Sequence, residues 1–314
     1  SSWNYALSNR GPILHVSIIE GPWGEFMSSI LDATEISFSW GDNHVLKGLD
    51  LEIGENELVS ILGVNGAGKS TLLKCLNRIL TPQSGKIQVS SKDVGDLTLL
   101  ELSKLMSYVP QSVRSSFSMD VFDVVLLGRR PHISWRISDD DRDKVSETLR
   151  ILNLEDFAFR RFDQLSGGER QRVIIAKAVA QDPKIFLLDE PTSDLDLKNQ
   201  IEIMKSLRKL ISDPESPKSA LIAIHDINIA ARFSDRILLL HDGKIISQGT
   251  PEEVLNPYNI AKVFGVTSKV EVYSPSVRVI IEDEISDDNS EPEESRDKFN
   301  HGKSGKSKSK KIEQ

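Results

Sequence analysis

The sequence predicts an α/β fold: a mainly parallel sheet, an antiparallel β layer ahead of it and a helical insert within it. Three observations predict this. Leu58-Val59-Ser60-Ile61-Leu62 is a short apolar run that passes through a glycine-rich loop into Leu72, Leu73, Leu76, Ile79 and Leu80, which recur at helical spacing. Ile185-Phe186-Leu187-Leu188 and Ala220-Leu221-Ile222-Ala223-Ile224 are further continuous apolar runs, as in strands covered on both faces. Between Thr34 and Ile53 apolar residues alternate instead, as in half-buried strands.

The loop of the first observation is Gly63-Val64-Asn65-Gly66-Ala67-Gly68-Lys69-Ser70-Thr71, a match to G-x-x-x-x-G-K-[ST], the phosphate-binding P-loop. Strand before and helix after is the setting that motif requires. Glycines let backbone N–H groups turn inward on phosphates, and the helix N-terminus adds partial positive charge. Lys69 can reach the β- and γ-phosphates, and Ser70 can place its hydroxyl on Mg²⁺. Gly302-Lys303-Ser304 and Gly305-Lys306-Ser307 lack the upstream glycine and the apolar flanks, so they are not P-loops.

Composition bounds the reading. The 314 residues are 39% hydrophobic and 27% charged, enough for one large domain or two modest ones. A net charge of −8 argues against a nucleic-acid partner. The single cysteine, Cys75, excludes an intramolecular disulfide and a cysteine-rich zinc site, and is read as a packed core residue. No uninterrupted apolar run approaches the roughly 20 residues of a membrane span, so work at a membrane requires a partner.

In chain order, residues 1–29 show no clear period and are read as an extension, with Met27 as the natural start. Ile36, Phe38 and Trp40 share one strand face, and Leu49, Leu51 and Ile53 another, with turn chemistry at Gly41-Asp42-Asn43. Trp40 ends its strand, where its ring either stacks on a base or closes the core edge. Thr81–Gly85 is a turn, Lys86–Val89 a short strand, and Leu105–Val109 leads to Pro110-Gln111. Residues 112–164 read as mostly helical: Val121 to Leu127, then Asp139 to Leu154, with Ser138 as N-cap and Val145, Leu149 and Leu152 as the buried stripe.

Leu165-Ser166-Gly167-Gly168-Glu169-Arg170-Gln171-Arg172 opens another helix. Ser-Gly-Gly at a helix start offers a second anion site; it is either a helix cap or serves a nucleotide bound elsewhere. The apolar run 185–188 ends in Asp189-Glu190, where one carboxylate can hold Mg²⁺ and the next can polarise an attacking water. The run 220–224 ends in His225, brought to the same crevice if the strands are parallel. Val254 to Val266 reads as one amphipathic helix and Val277–Ile281 as a last strand; residues 282–314 form a charged tail expected to be disordered.

With these pieces in place the chain resembles the ATP-binding-cassette (ABC) ATPases, over about residues 30 to 281. The motifs stand in family order: Trp40, the Walker A run Gly63–Thr71, the Q-loop Gln111, the signature Leu165-Ser166-Gly167-Gly168-Glu169, Walker B Ile185–Glu190, the D-loop Ser193-Asp194-Leu195-Asp196 and the switch His225. Two departures stand out. Glu169 replaces the commonest glutamine, which leaves that side chain's role open, and Trp40 stands where tyrosine is usual.

The resemblance implies an ATPase with ATP and Mg²⁺ as cofactors. Trp40, Gly63, Asn65, Gly66, Ala67, Gly68, Lys69, Ser70 and Thr71 would bind ATP; Ser70, Gln111 and Asp189 would serve Mg²⁺. Glu190 would be the general base, with His225 positioning the γ-phosphate and water and Gln111 a third catalytic residue that links Mg²⁺ and the attacking water to the helical insert. Two units would pair head to tail, Ser166, Gly167, Gly168 and Glu169 of one meeting ATP on the other, with the D-loop Asp196 alongside. The helical insert would dock on integral-membrane permease subunits at the cytoplasmic face, and an extracellular or periplasmic substrate-binding protein would act indirectly. The stretch Val124–His132 and the ending Gly249-Thr250-Pro251-Glu252-Glu253-Val254 resemble importer ATPases for iron–siderophore complexes, haem and cobalamin; Arg129, Arg130 and His132 are read as a docking surface. The alternatives are a soluble ABC ATPase of iron–sulfur assembly and the ATPase of another ABC transporter, for a metal ion or for export; the paired cassettes of translation factors and the long coiled coils of repair ATPases do not appear in the sequence.

Overall fold

The computed structural model of the chain describes residues 18–20, 26–111, 118–193, 195–214, 216–273 and 276–285. Asp194 of the expected D-loop, the first 17 residues of the expected extension and the charged tail beyond residue 285 lie outside the described residues.

Strands β1 (Ile18–Glu20), β2 (Phe26–Trp40) and β3 (Asn43–Gly54) open the chain, and β4 (Leu58–Leu62) leads through the glycine loop into α1 (Lys69–Leu76). β5 (Ser84–Val89) and β6 (Lys92–Asp93) complete a five-stranded antiparallel layer in which β2 pairs with β1, β3 and β5. β2 starts at Phe26, so the boundary expected at residue 30 falls inside a strand. Its register shifts between Ala33 and Ile36, where Glu35 has φ 53°. That bulge brings Ile36 and Phe38 onto the core side; Trp40, the last residue of the strand, is exposed.

α2 (Leu99–Leu105) was not expected from periodicity. A reciprocal cap starts it: Thr98 Oγ1 accepts from Glu101 N, and Glu101 accepts from Thr98 N. It feeds β7 (Met106–Val109). The helical subdomain follows with α3 (Val121–Leu126), a 3₁₀ turn at Leu127–Arg129 and α4 (Asp139–Ile151). Ser138 caps α4 as read, and Val145, Leu149 and Leu152 are buried. α5 (Gly167–Ala180), β8 (Ile185–Asp189), α6 (Leu197–Ile211), β9 (Ser219–Ala223), α7 (Ile227–Phe233), β10 (Arg236–His241) and β11 (Lys244–Gly249) finish the main body.

The central sheet has the order β11-β10-β4-β9-β8-β7, with β11 antiparallel and the other pairings parallel. All residues of β4, β8 and β9 are buried. Alternation along these strands sorts side chains to two cores. Val59, Ile61, Ile185, Leu187, Leu221 and Leu238 join the antiparallel layer and α1; Leu58, Leu62, Phe186, Leu188, Ile222 and Leu239 join the helices of the other side. Cys75 is buried in the first of these.

The helix read at 254–266 is divided. α8 (Pro251–Val254) and α9 (Pro257–Phe264) are separate, and β12 (Val266–Tyr273) pairs with β13 (Ser276–Glu284) as a terminal hairpin. Asn256 caps α9 with Pro257 at its first position, and Gly265 ends it at φ 67°. β13 runs three residues past the expected boundary at 281.

Of the three residues read as a docking surface, Arg129 is largely taken up by bonds within the chain, whereas Arg130 and His132 are exposed. Arg129 donates to Asp141 Oδ1 (3.0 Å) and to the Ala180 carbonyl (2.9 Å), and His132 Nε2 lies 2.9 Å from the Gln181 carbonyl. Gln181 Nε2 in turn donates to Met106 O at 2.8 Å. These bonds fasten the helical subdomain to the C-terminus of α5, while Arg130 and the rest of the His132 ring remain at the surface. Gly128 makes the approach possible, since a Cβ there would lie 2.1 Å from Lys177 O. Gly128→Ala is expected to cost roughly 2–3 kcal/mol through overpacking, read as a lower urea midpoint and earlier proteolytic nicking within residues 118–165.

Candidate functional site

The parallel strands deliver their carboxyl ends to one side of the sheet, where an open crevice forms. A cleft of about 490 Å³ is lined by Trp40, Val45, Val64, Asn65, Gly66, Gly68, Lys69, Ser70, Thr71, Gln111, Glu190 and His225. Strand β4 brings the glycine loop, β8 the two acids, β9 His225 and β7 Gln111. Gly63 is the buried hinge of the loop, since a Cβ there would meet Leu240 O at 2.3 Å. Ala67 is buried beneath the loop and does not line the cleft.

Lys69 is 5% exposed. Its Nζ donates to Gly63 O (2.7 Å) and Val64 O (3.3 Å) and lies 3.7 Å from Glu190 Oε1. Burial pushes the Lys69 pKa down, and the charges of Glu190 and Asp189 pull it partly back. A buried cation at the floor of the glycine loop is suited to phosphate oxygens.

The two acids have different surroundings. Asp189 Oδ1 accepts from Ser70 Oγ at 2.8 Å, and Oδ2 accepts from Tyr108 OH at 3.1 Å. Burial and then the neighbouring carboxylate push the Tyr108 phenol up, so it acts as a donor. Glu190 turns the other way: its backbone adopts φ 49°, and its Oε2 accepts from Gln111 Nε2 (2.7 Å) and lies 2.6 Å from His225 Nε2. Gln111, Glu190 and His225, which lie far apart in sequence, therefore meet at one carboxylate. Tyr108 and Val45 are site residues that sequence patterning missed. Tyr108 has no local signal, because its partner is 81 residues away.

Among the described residues no cluster of three or more His, Cys, Asp or Glu forms a metal cage. Ser70 lines the cleft with a hydroxyl oxygen, and Asp189 stands behind it, buried and outside the lining, with its two oxygens accepting from Ser70 and Tyr108. That set fits Mg²⁺ bound mainly through phosphate and water.

The signature turn does not line this cleft. Ser166 caps α5: its Oγ accepts from Glu169 N at 3.3 Å, and Glu169 Oε2 accepts from Ser166 N at 2.7 Å. Those hydrogen bonds hold the Glu169 carboxyl below its usual range, and they give a local job to the residue that departs from the commonest signature. Asp196 is likewise the N-cap of α6, accepting from Asn199 N at 2.8 Å.

A phosphate loop, two acids at the end of a buried strand and a histidine just past the next strand define a P-loop nucleoside triphosphatase. The ABC transporter family model matches residues 46–193. An ABC transporter ATP-binding protein of Methanocaldococcus jannaschii, MJ0089, is 47% identical over 242 residues, covering 77% of this chain and 94% of the relative. The iron(3+)-hydroxamate import ATP-binding protein FhuC of Bacillus subtilis is 35% identical, over 76% of this chain and 89% of that one. A metal-chelate type ABC transporter in an inward-facing conformation superposes with a TM-score of 0.69 at 29% identity, covering 82% of this chain and 98% of the other. The chain belongs to the ATP-binding subunits of ABC transporters and is an ATPase.

Proposed function

We propose that two copies of this chain power an importer of metal chelates, with an iron–siderophore complex as the first cargo and haem or cobalamin as the alternatives. The similarity to an iron(3+)-hydroxamate import subunit carries the cargo reading, supported by the likeness to a metal-chelate type transporter. Trp40 offers its exposed indole face at the cleft rim, held edge-on to Phe38 with ring centroids 5.0 Å apart, where adenine would stack. The loop amides and Lys69 take the phosphates. Glu190 accepts a proton from water as that water attacks the γ-phosphorus, and ADP and phosphate leave. His225 orients Glu190 and the γ-phosphate, and Gln111 connects Glu190 to the helical subdomain. Ser70 and Asp189 would hold Mg²⁺, which neutralises charge building on the phosphate oxygens.

The second anion site serves the partner's nucleotide. Ser166 and Gly168 of one copy meet ATP on the other, so ATP touches both units only in the closed dimer. The exposed position of the signature turn, outside its own cleft, supports this reading. Among the described residues no helix is long and apolar enough to cross a membrane. Trp135 (99% exposed) and Phe159 (87%) of the helical subdomain are large apolar side chains for a permease to cover. The chain then works peripherally at the cytoplasmic face, and an external binding protein acts through the permease.

The test is reconstitution in vesicles with the membrane permease that co-purifies with the chain. ATP turnover is expected to rise with a loaded iron-chelate binding protein and not with a cobalamin- or haem-loaded one. Stimulation by either of the latter alone reassigns the cargo, and co-purification with a soluble scaffold in place of a permease overturns the transport reading.

A further inference from the structure

We propose that Tyr108 is a positioning residue for the metal site: through Asp189 it fixes the Ser70 hydroxyl with its lone pairs toward the cleft. The inference rests on the reading of Ser70 and Asp189 as the magnesium-holding pair.

Asp189 is 3% exposed at the end of β8. Its two oxygens are anchored from two different elements, Oδ1 by Ser70 at the start of α1 and Oδ2 by Tyr108 on β7. One anchor leaves a carboxylate free to turn about its Cβ–Cγ bond; two anchors fix its plane. A serine hydroxyl has one proton and two lone pairs. Ser70 gives that proton to Asp189, so what it offers the cleft is lone pairs, the group a hard cation takes. Without the phenol, Oδ2 would be a buried acceptor lacking its donor. The carboxylate would then turn to share the Ser70 proton, and the hydroxyl would lose its fixed direction. This is outer-sphere control of a ligand by the group behind it.

The strand that carries Tyr108 makes this more than a satisfied core phenol. β7 lies parallel to β8 with Tyr108 opposite Leu187, and the chain leaving β7 reaches Gln111, which donates to Glu190. One strand therefore supplies a partner to each of the two acids. The Tyr108 ring packs in the core shared with α1, and phenylalanine retains that ring, so Tyr108→Phe removes the anchor alone.

The experiment uses the full chain carrying Glu190→Gln, with Mn²⁺ as probe and its binding to the ATP complex read by electron paramagnetic resonance. Tyr108→Phe is expected to weaken Mn²⁺ binding about tenfold while ATP affinity measured in EDTA stays the same. With Glu190 intact, the Mg²⁺ concentration for half-maximal hydrolysis should rise in the same proportion. Unchanged Mn²⁺ binding overturns the proposal. So does an equal loss of metal-free ATP binding, which would make the phenol a purely structural requirement. Asp189→Asn separates the two layers of inference. If it abolishes Mn²⁺ binding while Tyr108→Phe does nothing, only the role of Tyr108 falls; if it too leaves Mn²⁺ binding intact, the metal assignment itself falls.

Discussion

Replacing Glu190 by glutamine is expected to lower ATP turnover about 10³-fold, within the range a positioned general base supplies, while ATP still binds. The amide keeps the length and shape of the side chain, and its oxygen still accepts from Gln111, whose Nε2 lies 2.7 Å from the carboxylate. What is lost is the ability to take a proton from water. Stalled before hydrolysis, the variant should accumulate as an ATP-bound pair, seen as a doubling of mass by light scattering on adding ATP and Mg²⁺. A rate within threefold of the parent would place the base on another residue. A variant that stays monomeric, even with its permease supplied, would remove the shared-nucleotide interface.

Removing the cation of the phosphate loop is the second large effect. Lys69→Ala should weaken ATP binding by roughly 100-fold, about 2.7 kcal/mol, the size of one or two hydrogen bonds to a charged group. Isothermal titration in EDTA reads it directly. Lys69→Arg is not expected to rescue, because a planar fork cannot enter a pocket closed by the Gly63 and Val64 carbonyls around a single nitrogen. The pKa direction gives a second readout. Burial lowers the folded-state pKa of Lys69, so at every pH below that value its charge disfavours folding of the ligand-free protein. Phosphates relieve this by adding counter-charge. In Lys69→Ala the rise in melting temperature that ATP gives the parent should therefore largely disappear. A parent-like rise would show that Lys69 is not the phosphate cation.

Much of the site was legible because its parts are local. The phosphate loop carries its own strand and helix, and the acids end a run apolar enough to be a covered strand. Ser138 and Ser166 announce their helices. The elements missed had local signals that were not used: Thr98 with Glu101 for α2, Asn256-Pro257 for the break between α8 and α9, and Asp242-Gly243 between two apolar stretches for β10 and β11. The rest is not local. Arg129 reads as part of a docking surface in sequence, and only the fold brings the Asp141 carboxylate and the Ala180 carbonyl to it. Tyr108 reads as an ordinary strand tyrosine until β7 is laid beside β8.

The left-handed backbone at Glu190 sets heat tolerance against work. A side chain larger than glycine costs about 1–2 kcal/mol in that conformation, and β8 accepts this in order to aim its second acid away from its first. Glycine at position 190 is expected to release the strain and, on the reading of Glu190 as the general base, to stop ATP turnover. A Glu190→Gly variant should therefore melt above the parent while hydrolysing ATP far more slowly.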